Sequence, residues 1–302
     1  MQHMKTKVVV TGGAGFIGAH LAQYLLDNGY EIHVVDNLTG GKKEKVPAGA
    51  VFYEMDVRDG EKLTQVFKDA EFVFHLAALP RVQFSLDNPK EAHDTNVNGM
   101  LQVLISAKEA GVKRVIFSSS GSVYGDQPVL PLVETMDPAP QSPYALHKSI
   151  GEQYAKLWSE VFKLPTVCLR YFNVYGPGQD PEGPYALVVG KFIKFKKEGK
   201  PLTITSDGKQ TRDFTHVKDV VRANLLAAKS EKVGKGEAIN IGAGREQTVN
   251  RLAELMGGPT EYIPARLEPR FFRAGITKAK ELLNWHPEVL FEDGIAELLK
   301  SL

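Results

Sequence analysis

One cysteine, Cys168, stands among 302 residues, so the chain has no intramolecular disulfide and no thiolate cluster for zinc. Charge of one sign is lacking too: 37 basic residues face 36 acidic ones, a formal net charge of +1. That balance excludes the broad cationic surface of a general nucleic-acid binder. No apolar run approaches the roughly 18 residues of a membrane span. The eight histidines show no metal-ligand spacing such as His-Glu-x-x-His, which leaves no metal site to expect. Repeats and low-complexity tracts are also missing. Met1-Gln2-His3-Met4-Lys5 leads straight into an apolar run rather than a signal peptide, and with the lone thiol this points to a reducing cytoplasm. What remains is an ordinary globular composition, 43% hydrophobic and 24% charged, enough for a sizeable core.

Short β-branched and aromatic runs recur through the first two-thirds: Val8-Val9-Val10, Ile32 to Val35, Val51 to Tyr53, Phe72 to Phe74, Val115 to Phe117 and Thr166 to Leu169. Helical spacing lies between them, through Leu21, Leu25 and Leu26 to Asn28-Gly29, from Val97 to Ala110, and from Ile150 to Phe162. Strands alternating with helices predict an α/β protein with a doubly wound parallel sheet, the Rossmann arrangement. After Asn173 the rhythm loosens, and two Pro/Gly-rich stretches appear, Gly176 to Pro184 and Gly257 to Pro269. We expect a dinucleotide-binding unit over 1–173 and a smaller α/β substrate lobe over 174–302, with chain exchange between them allowed. Gly125 to Pro143, rich in proline, reads as a long loop.

Two places carry chemistry. Gly12, Gly13, Gly15 and Gly18 lie between the first strand and the first helix, where a tight turn and free helix N–H groups suit a pyrophosphate. Asp36 ends the second strand 18 residues beyond Gly18, placed to accept from ribose hydroxyls and to repel a 2′-phosphate, which favours NAD over NADP. Farther along, Tyr144 and Lys148 share a helical face at i, i+4. A nearby ammonium favours the phenolate and makes a base usable near neutrality. Ser118-Ser119-Ser120 closes the fifth strand, at the carboxyl edge where such sheets bind ligands.

Together, Gly-x-x-Gly-x-x-Gly after the first strand, the serine run and Tyr-x-x-x-Lys resemble the extended short-chain dehydrogenase/reductase family. Ser118 to Gly125, Gln141 to Tyr144, Arg170 to Gly176 and Gln210 to Phe214 resemble its nucleotide-sugar branch, and within it the UDP-glucose 4-epimerases. The similarity runs from Lys5 to the C-terminus, including Lys278 to Trp285 and Pro287.

The resemblance implies Tyr144 as catalytic base, Lys148 as its partner on the nicotinamide ribose, and Ser120 as a hydroxyl bridging to the sugar. It implies cofactor contacts from Gly12, Gly15, Phe16, Ile17, Gly18, Asp36, Asn37, Asp56, Val57, Leu76, Ala77, Ala78, Asn96, Ser118 and Phe172. On the substrate side it implies Asn173, Val188, Thr203, Arg212 and Phe272, with either Arg266 or Arg270 as a second phosphate arginine. The implied activity is inversion at C4 of a UDP-hexose through a 4-keto sugar with tightly held NAD. Long helices over Asn96 to Ala110 and Ala145 to Phe162 imply a homodimer. Related dehydratases carry Asp-Glu where this chain has Gly121-Ser122, and related decarboxylases carry Glu at Ser122. Glucuronate epimerases favour Arg at Gln83 and Thr at Asn173.

The resemblance also implies that Phe272 stands where bulk restricts entry of N-acetyl sugars, which points to UDP-glucose and UDP-galactose. Gln179 to Tyr185 instead resembles members that accept N-acetylhexosamines, so a UDP-N-acetylglucosamine/UDP-N-acetylgalactosamine 4-epimerase is the alternative. A catalytically silent NAD-binding sensor or scaffold is a third. Gly275 replaces an aspartate usual in the family. We further expect a solvated face for Lys191, Lys194, Lys196, Lys197 and Lys200, an inert buried Cys168, and a surface or dimer role for His147.

Overall fold

The computed structural model describes residues 5–179, 181, 187–264 and 270–300. Six strands form where the apolar runs predict them: β1 (Lys7–Thr11), β2 (Glu31–Asp36), β3 (Val51–Glu54), β4 (Phe72–His75), β5 (Arg114–Ser120) and β6 (Thr166–Tyr171). Six short or later strands follow: β7 (Val174–Tyr175), β8 (Leu202–Thr205), β9 (Thr211–Arg212), β10 (Thr215–His216), β12 (Gln247–Thr248) and β13 (Thr260–Ile263). Between β10 and β12 runs β11 (Lys235–Ile241). The main sheet has seven parallel strands in the order β3-β2-β1-β4-β5-β6-β11. Its edge strand β11 comes from well beyond residue 173, so segments on both sides of that position build the sheet.

Helices cover both faces, as a parallel sheet requires. On one side α1 (Phe16–Asp27), α8 (Val217–Lys229) and α10 (Thr277–Leu283) bury Leu21, Leu25, Val220, Ala227 and Leu283 against Val8, Val10 and Ile116. The other side holds α2 (Gly60–Phe67), α5 (Gly99–Glu109) and α6 (Pro143–Phe162), which pack Leu63, Phe67, Val103, Leu104 and Trp158 on Val9, Val73 and Val115. Each such side chain contributes about 1.5–3 kcal/mol of burial. Two short helices, α3 (Val82–Asp87) and α4 (Pro89–His93), lead into α5 through a wider turn of π-helix at Asp94–Asn98.

The second lobe has its own core. There α7 (Val188–Lys197), α9 (Val249–Met256) and α11 (Phe291–Lys300) bring Phe192, Leu252, Ile295 and Leu298 around Ile204 and Phe214. A fourth, small apolar cluster gathers Tyr124, Leu132, Phe172 and Ala274. Among the described residues, no helix is long and apolar enough to cross a membrane.

Candidate active site

The carboxyl ends of β1, β2, β4, β5 and β6 open into one cleft of about 1380 Å³ whose far wall is the second lobe. At its first-lobe end, Gly12 has φ +74°, and a side chain there would begin 2.6 Å from the Ala77 nitrogen. At Gly18 a Cβ would lie 2.1 Å from the Gly12 carbonyl oxygen. Both positions therefore need glycine. The N-cap of α1 is Gly15, which makes no side-chain cap bond, so the first N–H groups of α1 remain for an anion. Asp36 braces this turn, accepting from the Ala14 nitrogen at 3.0 Å and the Leu38 nitrogen at 2.8 Å. Each carboxylate oxygen keeps a second lone pair for another donor.

Asp56 accepts from Asn37 Nδ2 at 2.8 Å and from Arg58 Nη2 at 2.7 Å; Arg58 also pairs with Asp94. These bonds, the Arg58 one foremost, hold the Asp56 carboxyl down at about 2. Asn96 lies behind the cleft wall rather than on it. Its amide accepts from the Leu79 nitrogen at 2.7 Å and donates to the Leu79 carbonyl at 3.1 Å, which fixes the loop carrying Leu76, Ala77 and Ala78.

At the centre of the cleft, Ser142 caps α6 by accepting from the Ala145 nitrogen at 3.2 Å, with Pro143 in the first turn. The helix thus starts early enough to carry both Tyr144 and Lys148. Lys148 is buried, donates to the Ser118 carbonyl at 2.6 Å, and stands 4.8 Å from the centre of the Phe117 ring. Burial pulls its ammonium down to about 8. Ser120 Oγ accepts from the Ser122 nitrogen at 3.1 Å and the Ser122 hydroxyl at 2.9 Å. With two donors already on that oxygen, its own proton is left to point at Tyr144. Burial raises the Tyr144 phenol, and the Ser120 bond followed by the Arg81 charge works against that rise.

Asn173, Val188, Thr203, Arg212 and Phe272 line the far wall, facing the residues of the first lobe. Asn173 takes φ +30° and donates to the Asp213 carbonyl at 3.3 Å. The Asp213 carboxylate accepts from the nitrogens of Ala243, Gly244 and Ala274 at 2.6, 3.0 and 2.9 Å, which clips the Phe272 segment to the end of β11. Phe172 is fully buried and does not reach the cleft. Its ring packs 5.0 Å from that of Phe272 and sits close under Gly121, whose Cβ would fall 3.0 Å from the ring. Arg266 lies outside the described residues. Arg270 pairs with Asp207 at 2.9 Å and stays out of the cleft.

The matching family model spans residues 8–242 and is described as the NAD dependent epimerase/dehydratase family. The chain belongs to the NAD-dependent epimerase/dehydratase family. Across its length it is 39% identical, over 97% of each chain, to a putative UDP-glucose 4-epimerase of Methanocaldococcus jannaschii. A UDP-glucose 4-epimerase of Thermotoga maritima, solved with UDP-glucose, is 41% identical with 98% of each chain covered and a TM-score of 0.93. The same TM-score and coverage hold, at 37% identity, for a UDP-N-acetylglucosamine 4-epimerase of Methanobrevibacter ruminantium in complex with UDP-N-acetylmuramic acid.

The cofactor of this epimerase/dehydratase family, NAD, fits the residues present. The glycine cradle admits no Cβ, the α1 terminus is uncapped, and Asp36 waits at the end of β2.

Besides Asn96 and Phe172, which do not line the cleft as expected, two further expectations change. His147 is buried rather than on the surface, its ring edge-on to His93 at 5.3 Å, and burial holds it neutral with a value near 4. The lysines of α7 do not form a uniformly solvated face, because Lys191 lines the cleft and Lys196 donates to the Met256 carbonyl at 2.6 Å. Cys168 is buried, and burial raises its thiol. The sequence reading also passed over Arg81, Thr95, Lys42 and Lys45, all on the cleft wall. Arg81 and Lys42 sit in loops, Lys45 in a single 3₁₀ turn and Thr95 in the π-helix, none of which carries a periodic signal.

Proposed function

We propose that the protein is a UDP-glucose/UDP-galactose 4-epimerase that inverts C4 through a transient 4-keto sugar with tightly held NAD. The observation that carries this reading is the grouping of Tyr144, Lys148 and Ser120 on one cleft wall beside Gly121-Ser122. The Asp-Glu pair of related dehydratases is absent from these two positions, and a side chain at Gly121 would crowd the Phe172 ring. Elimination of water then has no proton carrier, while a proton taken and returned at one oxygen needs none beyond Tyr144.

Tyr144 takes the proton of the sugar's 4-hydroxyl. Ser120 donates to the phenolic oxygen and helps hold the sugar oxygen in line. Lys148, fixed on the Ser118 carbonyl, anchors the ribose and supplies positive charge that favours the phenolate. Bound NAD supplies the oxidising and reducing power at C4. Arg212 and Asn173 hold the diphosphate, for which a planar guanidinium suits paired charge-assisted bonds. The hexose is held loosely enough to present its other face.

Phe272 supports plain hexoses: its ring, tilted against Phe172, lines the cleft, and bulk there would restrict an acetamide. The UDP-N-acetylhexosamine reading is favoured by the similarity to the Methanobrevibacter enzyme. Support for a homodimer comes from the outer side of α6, where Leu146, Leu157 and Val161 are 47%, 44% and 57% exposed. A cytoplasmic site agrees with the single reduced cysteine.

A panel of UDP-sugars, each run to equilibrium with the NAD-loaded protein and resolved by chromatography, tests the assignment. Interconversion of UDP-galactose and UDP-glucose is expected; inertness toward both overturns it.

A further inference from the structure

Glu152 takes no part in the chemistry above, yet it continues the line of Tyr144 and Lys148 at the same four-residue spacing along α6. It is buried beneath the cleft floor. The Ser119 hydroxyl donates to its Oε1 at 2.5 Å. Arg170 clasps both carboxylate oxygens, Nε to Oε1 at 2.8 Å and Nη2 to Oε2 at 2.7 Å. Arg170 stands directly across from Ser119 in the β5–β6 register. Its guanidinium rests on the Tyr124 ring, 4.6 Å from the centre, and the Tyr124 hydroxyl donates to Asn240 Oδ1 at 2.8 Å on β11. Glu152 is therefore held from two strands and braced through a third.

Three consecutive serines of β5 meet these three helix residues. The Ser118 carbonyl takes the Lys148 ammonium, the Ser119 hydroxyl reaches Glu152, and the Ser120 hydroxyl turns to Tyr144. Ser119 is 2% exposed, and its hydroxyl is taken up by Glu152 while the Ser120 hydroxyl turns to Tyr144. A slide of α6 along β5 breaks the buried contact first, and the buried Glu152–Arg170 pair makes that costly.

We propose that Glu152, locked by Arg170, is a positioning residue that sets α6 in register on the serine run and supplies the negative charge facing the Tyr144–Lys148 pair. This rests on the reading of Tyr144 as the base. The groups facing Lys148 are Tyr144, His147 and Glu152 from α6, His75 from β4 and Cys168 from β6, with Arg170 behind Glu152. His75 and His147 are held neutral by burial, and the Cys168 thiol is protonated. Glu152 is the carboxylate that favours the charged lysine.

The test uses NAD-loaded protein and two readouts. Ultraviolet difference titration of each variant against the same variant carrying Tyr144→Phe reads ionisation of that one phenol. The pH profile of kcat with UDP-galactose reads the consequence. Glu152→Gln keeps an acceptor for Ser119 but leaves Arg170 uncompensated. The Tyr144 titration and the whole kcat profile should then move to lower pH, with kcat at the optimum down about ten-fold and KM within about two-fold. Ser119→Ala removes the clip and keeps the charges, so kcat should fall about three-fold or more while the profile stays in place. Wild-type titration and kcat in Glu152→Gln overturn the proposal. If that variant fails to fold, wild-type kcat in Ser119→Ala overturns it instead. Should the wild type turn over no UDP-galactose, the substrate assignment falls, and the titration still decides the part played by Glu152.

Discussion

The ammonium of Lys148 stands 5.8 Å from the centre of the Tyr144 ring, one helical turn farther along α6. At that distance a charge on one residue bears on the other, and the proposed roles fix what each substitution should do.

Tyr144→Phe removes the proton acceptor and leaves the cofactor cradle intact. Epimerisation of UDP-galactose should fall by about 10²–10⁴-fold. NAD affinity, followed by fluorescence titration, should stay within about two-fold. A variant that keeps wild-type turnover assigns the base elsewhere.

Lys148 is a cation below about pH 8 and loses its charge above it, because burial has pulled the ammonium down. The kcat of the wild type should decline as pH rises through that value. Lys148→Met should be slower at every pH and lack this alkaline limb, as stopped assays from pH 6 to 9.5 will report.

His75 lies buried against Phe117, with Nδ1 2.8 Å from the Thr11 hydroxyl, and burial lowers its imidazole to about 3. Its value is about 6.5 in the unfolded chain. Between those values the unfolded chain binds a proton that the folded one refuses, so stability is lost as pH falls below about 6.5. Urea unfolding at pH 7 and pH 5 measures this. In His75→Gln the difference between the two conditions should shrink by about 2 kcal/mol, at about 1.4 kcal/mol per unit.

Phe272→Ser should widen the hexose pocket. The kcat/KM ratio for UDP-N-acetylgalactosamine over UDP-galactose should rise at least about ten-fold, as expected when a bulky ring leaves a pocket. An unchanged ratio removes Phe272 from the control of specificity.

Gly275→Asp restores the residue usual in related chains, yet here it should harm. A Cβ at that position lies 2.7 Å from Val133 Cγ1 and 3.2 Å from the Leu132 carbonyl oxygen, whose own bond comes from the Gly275 nitrogen at 2.7 Å. Overpacking and a carboxylate beside a carbonyl should cost about 2–4 kcal/mol. A lowered Tm in calorimetry checks it.

Legibility in the sequence followed the physics of each segment. Strands β1, β2, β4, β5 and β6 each hold a short apolar stretch buried in the sheet, and the exposed edge strand β3 still carries Val51-Phe52-Tyr53, so their pattern is visible without context. Strand β11 opens with Lys235-Gly236-Glu237 and carries an irregular register there, which hides it among loops. The extra width at Asp94–Asn98 left no trace, since a π-turn is stabilised by tertiary contacts such as that of Asn96 with Leu79. Tyr144, Lys148 and Asp36 were readable because their spacing to a glycine turn or to one another is local. Glu152 and Arg170 were not, because their pairing exists only once β5 and β6 lie side by side.

The seventh strand has a consequence for how the protein is made. A nascent chain that has emerged only as far as Tyr171 presents β6 as a raw edge, and the segment that caps it, Lys235–Ile241, is still to be translated. Until that segment is made the sheet keeps an open border, and a fragment cut after residue 173 would expose a sticky edge to other chains.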